Sequence, residues 1–149
     1  MDFEKAYDKI YKYAYFRVGD RATAEDITQE AFLRFLANYG NPREADIRFL
    51  YSIARNLCTD EFRRIKPEAL PEDDSEKPLV ASDSTEDTAI LREALSHLSP
   101  EDRELLLLRY VNREAVGTIA KSCNLSRFAV YRRLQAAEDR LRKSLEVEP

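Results

Sequence analysis

Apolar residues recur three and four positions apart through most of the chain, and no stretch alternates as a half-buried strand would. Near the start, Tyr7, Ile10, Tyr11, Ala14 and Val18 hold this helical spacing. Gly19 then supplies a helix end, and Asp20 a cap for the next helix, predicted over Ala22 to Ala37 and stopped by "NYGNP". A third helix is predicted from about Asp46 to Arg64, with Leu50, Ile53, Ala54 and Leu57 on one face.

The periodicity lapses in "KPEALPEDDSEKPLVASDSTED", which carries three prolines and many acids and serines. Pro67 to Glu86 is therefore expected to be a linker between two helical domains, residues 1–66 and 87–149. In the second block a helix is predicted from Thr88 to Leu98. Ser99 caps the following one, with Pro100 at its first position, Asp102 as the capping-box acid, and Leu105, Leu106, Leu108 and Val111 facing inward. Two more helices follow, Ala115 to Ser122 and Arg127 to Leu145. The fold class is all-α.

The turn between those last helices is "CNL". Asn124 tolerates a left-handed backbone, and Ser126 caps the final helix. Ile119, Ala120 and Cys123 can pack against Val130 and Leu134, with Ala120 small enough for a close crossing, which is helix-turn-helix geometry. At 100° per residue, Val130, Leu134, Ala137 and Leu141 form the inward stripe. Phe128, Arg132 and Gln135 lie opposite, with Tyr131 and Arg142 on one flank and Arg127 in the first turn, where arginine can bridge two guanine acceptors. This pattern leaves two possibilities open: a helix that reads DNA, or a basic surface on an ordinary helical hairpin.

Charge sharpens the picture. The net charge of −4 over 149 residues argues at first against a nucleic-acid binder. Its distribution reverses that, because the linker concentrates the acids whereas bases outnumber acids from Arg109 to Lys143. No apolar run approaches the roughly 20 residues of a membrane span, and the N-terminus lacks a signal-peptide layout, so an intracellular, soluble chain without membrane insertion is expected. Cys58 and Cys123 lie far apart without metal spacing, and are read as free, buried or half-buried thiols. His97 is read as a solvated interhelix residue. There is no Gly-rich phosphate loop or nucleophile constellation, so neither an enzyme nor a cofactor or metal is expected.

Three motifs together resemble bacterial sigma factors of the extracytoplasmic-function (ECF) group. "GDRATAEDITQEAFLRF" and "FLYSIARNLCTDEFRR" resemble the signatures of the first domain. "ALSHLSPEDRELLLLRYVNREAVGTIAKSCNLSRFAVYRRLQAAEDRLRK" resembles the C-terminal promoter-reading domain. Phe49 stands where tryptophan is usual, and Asn124 where glycine is common.

The resemblance implies that Asp26, Gln29, Glu30, Leu33 and Arg34 bind the clamp helices of the RNA polymerase beta-prime subunit. They lie opposite a core arc of Ala24, Ile27, Ala31, Phe32 and Phe35, and a leucine among acids suits a partner surface. It implies that the loop Asn38 to Ala45 and the polar side of the third helix meet the −10 promoter element. Asn41, Arg48, Arg55, Asn56 and Arg63 are the candidates, with Thr59 on the same side. It also implies that Ser126, Arg127, Phe128, Tyr131, Arg132 and Gln135 meet the −35 element while the second domain binds the polymerase beta flap. The linker would follow the polymerase channel used by template strand and nascent RNA, and its acids are expected to weaken DNA binding by the free protein. Promoter DNA, core polymerase and a controlling anti-sigma factor are the implied partners, in the bacterial cytoplasm. Two rivals stay open: a stand-alone helix-turn-helix regulator, and a sigma-like decoy that binds polymerase without reading DNA.

Overall fold

The computed structural model describes residues 2–39, 47–65 and 86–146. Asn41 and nearly all of the acidic segment lie outside the described residues. Glu86, expected at the end of that segment, instead opens a helix. Among the described residues, seven α-helices follow in chain order: α1 (Phe3–Val18), α2 (Arg21–Tyr39), α3 (Ile47–Ile65), α4 (Glu86–Leu95), α5 (Pro100–Leu106), α6 (Val116–Cys123) and α7 (Arg127–Glu146). The fold is all-α, with no strand among the described residues.

Local chemistry sets the helix boundaries. The Asp2 carboxylate accepts from the Glu4 and Lys5 N–H groups at the start of α1, and Gly19 at its end adopts φ 78°, returning its N–H to the Tyr15 carbonyl. Asp20 then accepts from the backbone N–H and hydroxyl of Thr23 at 2.9 and 2.7 Å. α4 stops at Leu95, three residues before the expected end. There the Arg103 guanidinium donates to the Leu95 and Leu98 carbonyls, and the Ser96 hydroxyl to the Glu93 carbonyl. Ser99 caps α5 through the Asp102 N–H as expected. The Asp102 carboxylate does not complete a capping box. It pairs with Arg133 of α7 at 3.4 Å, since aspartate is one methylene short of the usual glutamate.

α1, α2 and α3 pack as a three-helix unit around Ile10, Ala14, Ala24, Ala31, Phe35, Leu50 and Ala54, all fully buried. Tyr7, Tyr11 and Val18, which share the helical spacing of α1, and Phe32, expected in the core arc of α2, are partly buried at its margin. Tyr13 and Tyr51 are buried instead, edge to face with ring centroids 5.6 Å apart. The second unit centres on Leu105, Leu106, Leu108, Ile119, Val130, Leu134 and Ala137. Between α5 and α6 the chain makes a π-helical turn, Leu107–Val111, which the sequence pattern did not announce. The two units are in contact, α3 against α6 and α1 against the π turn, and one cluster of buried side chains runs through both.

Candidate nucleic-acid and polymerase interfaces

Three surfaces carry the residues singled out from the sequence. On α2, Ala24, Ile27, Ala31 and Phe35 are buried. Asp26, Gln29, Leu33 and Arg34 are exposed and Glu30 half-exposed on the opposite side. Leu33 is 65% accessible, and beside it Arg34 donates to Glu30 at 2.8 Å. The five candidates therefore form one continuous face. Leu36, also exposed, enlarges its apolar part and was missed because it falls at the edge of that arc.

The second surface is the helix-turn-helix of α6 and α7. Asn124 takes φ 60° and ψ 46°, the left-handed conformation the turn requires. The Ser126 hydroxyl accepts the Ala129 N–H at 3.0 Å and starts α7. Val130, Leu134 and Ala137 are buried against Ile119 and Ala120, and Leu141 is half-buried, as the spacing predicted. Ser126, Arg127, Phe128, Tyr131, Arg132 and Gln135 all lie on the exposed side. Phe128 is 73% and Tyr131 59% accessible, and the Arg132 guanidinium sits over the Phe128 ring at 5.4 Å. Arg127 leans back on α6: a Cβ at Gly117 would lie 3.0 Å from its Nη2.

The third surface, on α3, departs from expectation. Asn56 and Arg63 are exposed and Thr59 is half-buried. Arg48 is half-buried, its guanidinium 5.0 Å from the Phe49 ring centroid. Arg55 does not project from an exposed basic side. It turns into the seam between the two units, where its Nε donates to Glu104 at 2.7 Å and its Nη2 approaches the Ser122 hydroxyl at 3.3 Å. A half-buried carboxylate brought in by α5 captures it, and no periodicity within α3 could signal that.

Glu104 also pairs with Arg17 at 3.5 Å, and Arg17 donates to the Tyr13 hydroxyl at 2.8 Å. Burial pushes the Tyr13 hydroxyl's pKa well above the usual phenol value, with Glu104 adding to it. A second cluster forms at the π turn. Tyr51 donates to Glu114 at 2.5 Å and accepts from Asn112 at 2.9 Å, and Lys9 lies 3.0 Å from Glu114. Burial, and then the Glu114 hydrogen bond, raise the Tyr51 pKa.

Cys58 is a buried free thiol and Cys123 a half-buried one. Burial first and Glu104 second raise the Cys123 pKa, which disfavours a reactive thiolate. His97 is solvated and 3.4 Å from Glu93. The described residues contain no cluster of metal-ligating side chains and no helix long and apolar enough to cross a membrane.

The chain's two halves match two family models in order: Sigma-70 region 2 over residues 3–67, and Sigma-70, region 4 over residues 88–141. The chain belongs to the ECF sigma factors. It is 34% identical over 130 residues to the ECF RNA polymerase sigma factor BldN of Streptomyces coelicolor, covering 80% of this chain and 49% of that one. With SigE of Mycolicibacterium smegmatis it shares 32% identity over 91% of this chain and 58% of the relative. With SigW of Bacillus subtilis it shares 29% over 93% and 83%. The chain thus spans only about half the length of the first two relatives. The fold is shared with the sigma factor RpoE from Bartonella quintana, solved in complex with the anti-sigma factor NepR. That match has a TM-score of 0.69 at 21% identity and covers 99% of each chain. α1 to α3 correspond to region 2, and α4 to α7 supply region 4.

Proposed function

We propose that the chain is a cytoplasmic sigma factor that binds core RNA polymerase and directs promoter-specific initiation, with no catalytic chemistry of its own. The observation that carries this reading is the presence of two separate exposed faces on the two matched regions. On α2, Leu33 stands among Asp26, Gln29, Glu30 and Arg34. A solvent-exposed leucine ringed by charge suits a protein partner, here the beta-prime clamp helices. On α7, Ser126, Arg127, Phe128, Tyr131, Arg132 and Gln135 combine cations, hydrogen-bonding groups and aromatic contact area on one side of a helix-turn-helix. That composition suits the major groove of a −35 element.

Arg48, Asn56 and Arg63, together with Asn41, are assigned to the −10 element, and so is Arg55 once it is released from Glu104. Region 4 is assigned to the beta flap, and an anti-sigma factor is the controlling partner that family membership suggests.

The test is run-off transcription from fragmented genomic DNA of the source organism, using purified sigma-free core polymerase with and without this protein. Discrete new starts that disappear with Leu33→Glu are expected. An active core that gives no new starts would overturn the reading. Polymerase pull-down would then separate a stand-alone operator-binding regulator, which does not bind core, from a decoy, which does.

A further inference from the structure

We infer that Phe128 and Arg132 act as one reading unit on α7: the Phe128 ring meets a thymine C5-methyl group in the major groove and also steadies the Arg132 guanidinium for a guanine within about two base-pair steps of it. The unit presupposes that α7 is the −35 helix, and it names the base features which that helix selects.

In a helix-turn-helix the N-terminal half of the second helix is the part that meets base edges. Phe128, Arg132 and Gln135 are spaced i, i+4 and i+7, so they share one side of α7, opposite the buried Val130, Leu134 and Ala137. At 73% accessibility Phe128 is the most exposed large hydrophobic side chain among the described residues, so it adds almost nothing to the core. A phenyl ring has no donor or acceptor to offer a base edge or a phosphate. The apolar group that base pairs present in the major groove is the thymine methyl, and this is the feature such a ring can discriminate.

The Arg132 guanidinium lies 5.4 Å from the centroid of that ring, one turn along the helix. Two other arginines of α7 are committed elsewhere: Arg133 pairs with Asp102, and Arg142 with Asp139. Among the described residues Arg132 has no carboxylate partner. A cation drawn to a ring face keeps its N–H groups for other acceptors, and it has already given up part of the side-chain freedom that a base contact would have to freeze. Those N–H groups form the fork that bridges guanine O6 and N7. Four residues advance ~6 Å along a helix at ~1.5 Å each, against ~3.4 Å per base pair, which places the methyl and the guanine within about two steps of each other.

The test uses the full chain bound to core polymerase on a promoter duplex with a randomised −35 window, and the same duplexes offered to the chain alone. Selection should enrich a thymine within about two steps of a guanine. In an enriched duplex, uracil in place of that thymine removes only the methyl and should weaken binding about fourfold, as for one buried methyl. 7-Deazaguanine removes N7 and should weaken it about tenfold. Phe128→Ala should abolish the uracil effect and shrink the 7-deazaguanine effect. Phe128→Leu, apolar but without a ring face, should keep the first and shrink the second, and Arg132→Ala should abolish the second. Both side chains are exposed, so helix content should match the parent in every variant.

Three results would overturn the unit: a uracil duplex bound as tightly as its thymine parent, a uracil penalty that survives Phe128→Ala, or a full guanine penalty in Phe128→Ala. Uniform weakening of Arg132→Ala on all sequences would place that arginine on phosphate and overturn it as well. Enrichment by the chain alone, without transcription, would sink the sigma-factor reading and leave the unit standing. Transcription with no thymine and guanine preference would do the reverse.

Discussion

Arg55 of α3 and Glu104 of α5 meet across the boundary between the two family-matched regions, Nε to carboxylate at 2.7 Å, although 49 positions separate them in the chain. The pair is largely shielded from water, so removing one member strands the other. Arg55→Ala should destabilise the chain by about 3 kcal/mol, moderated because Arg17 still faces Glu104. Arg55→Ala with Glu104→Gln should cost less than the sum of the two single changes, by roughly 1 to 3 kcal/mol of coupling. Urea unfolding midpoints of the four proteins measure this. Strict additivity would mean that the contact contributes nothing to the fold.

The paired tyrosines give the seam a signature in alkali. Tyr13 and Tyr51 have folded-state pKa values above that of a free phenol, because burial opposes the phenolate and neighbouring carboxylates oppose it further. The sign follows from linkage. Below the unfolded value of about 10, both states keep the proton and the stability is fully present; above it the unfolded chain releases protons first, and stability falls as pH rises toward the folded values. Ultraviolet titration should therefore show two of the eight tyrosines staying protonated until the seam opens or the chain unfolds. If all eight titrate together before any loss of helix signal, these burial assignments fail.

Much of the fold was legible because local signals agreed with one another. Asn124, Ser126 and the Val130, Leu134, Ala137 stripe each pointed to the same turn and the same inward face, and each holds. On α2 the buried arc and the exposed candidates separate as the 100° rotation requires. The seam was not legible, because its chemistry is a pairing between distant segments. Tyr51 and Glu114 are 63 positions apart, and a glutamate looks the same in sequence whether it faces water or a buried phenol. A partial clue to Tyr13 existed. It lies three residues after Ile10 on the core side of α1, but its hydroxyl suggests a wet position until Arg17 is seen to satisfy it.

Ser99 tests how far the entry to region 4 depends on its cap. Its side chain accepts the Asp102 N–H at 3.1 Å at the start of a seven-residue helix that carries Glu104. Ser99→Ala should cost about 1 kcal/mol. Because a short helix tolerates fraying poorly, amide exchange should rise first at Asp102 and Arg103. Unchanged protection there would show that the π turn and α7 alone hold α5 in place.

Gly117 offers a way to move one candidate −35 residue without mutating it. Inside a helix, glycine is less favourable than alanine by about 1 kcal/mol, so Gly117→Ala should gain stability from α6 itself. The added Cβ would stand 3.0 Å from Nη2 and 3.3 Å from Nε of Arg127, too close unless the guanidinium shifts. Arg127 is exposed and its guanidinium ends a flexible side chain, so displacement is cheaper than distortion of the helix crossing. The expected result is a higher unfolding midpoint together with altered selectivity among −35 sequences. In an Arg127→Ala background, the same change should keep its stability gain and lose its effect on selectivity. A lowered midpoint would show that the arginine cannot yield, and an undiminished DNA effect without Arg127 would show that Gly117 acts through the path of α6 rather than through that side chain.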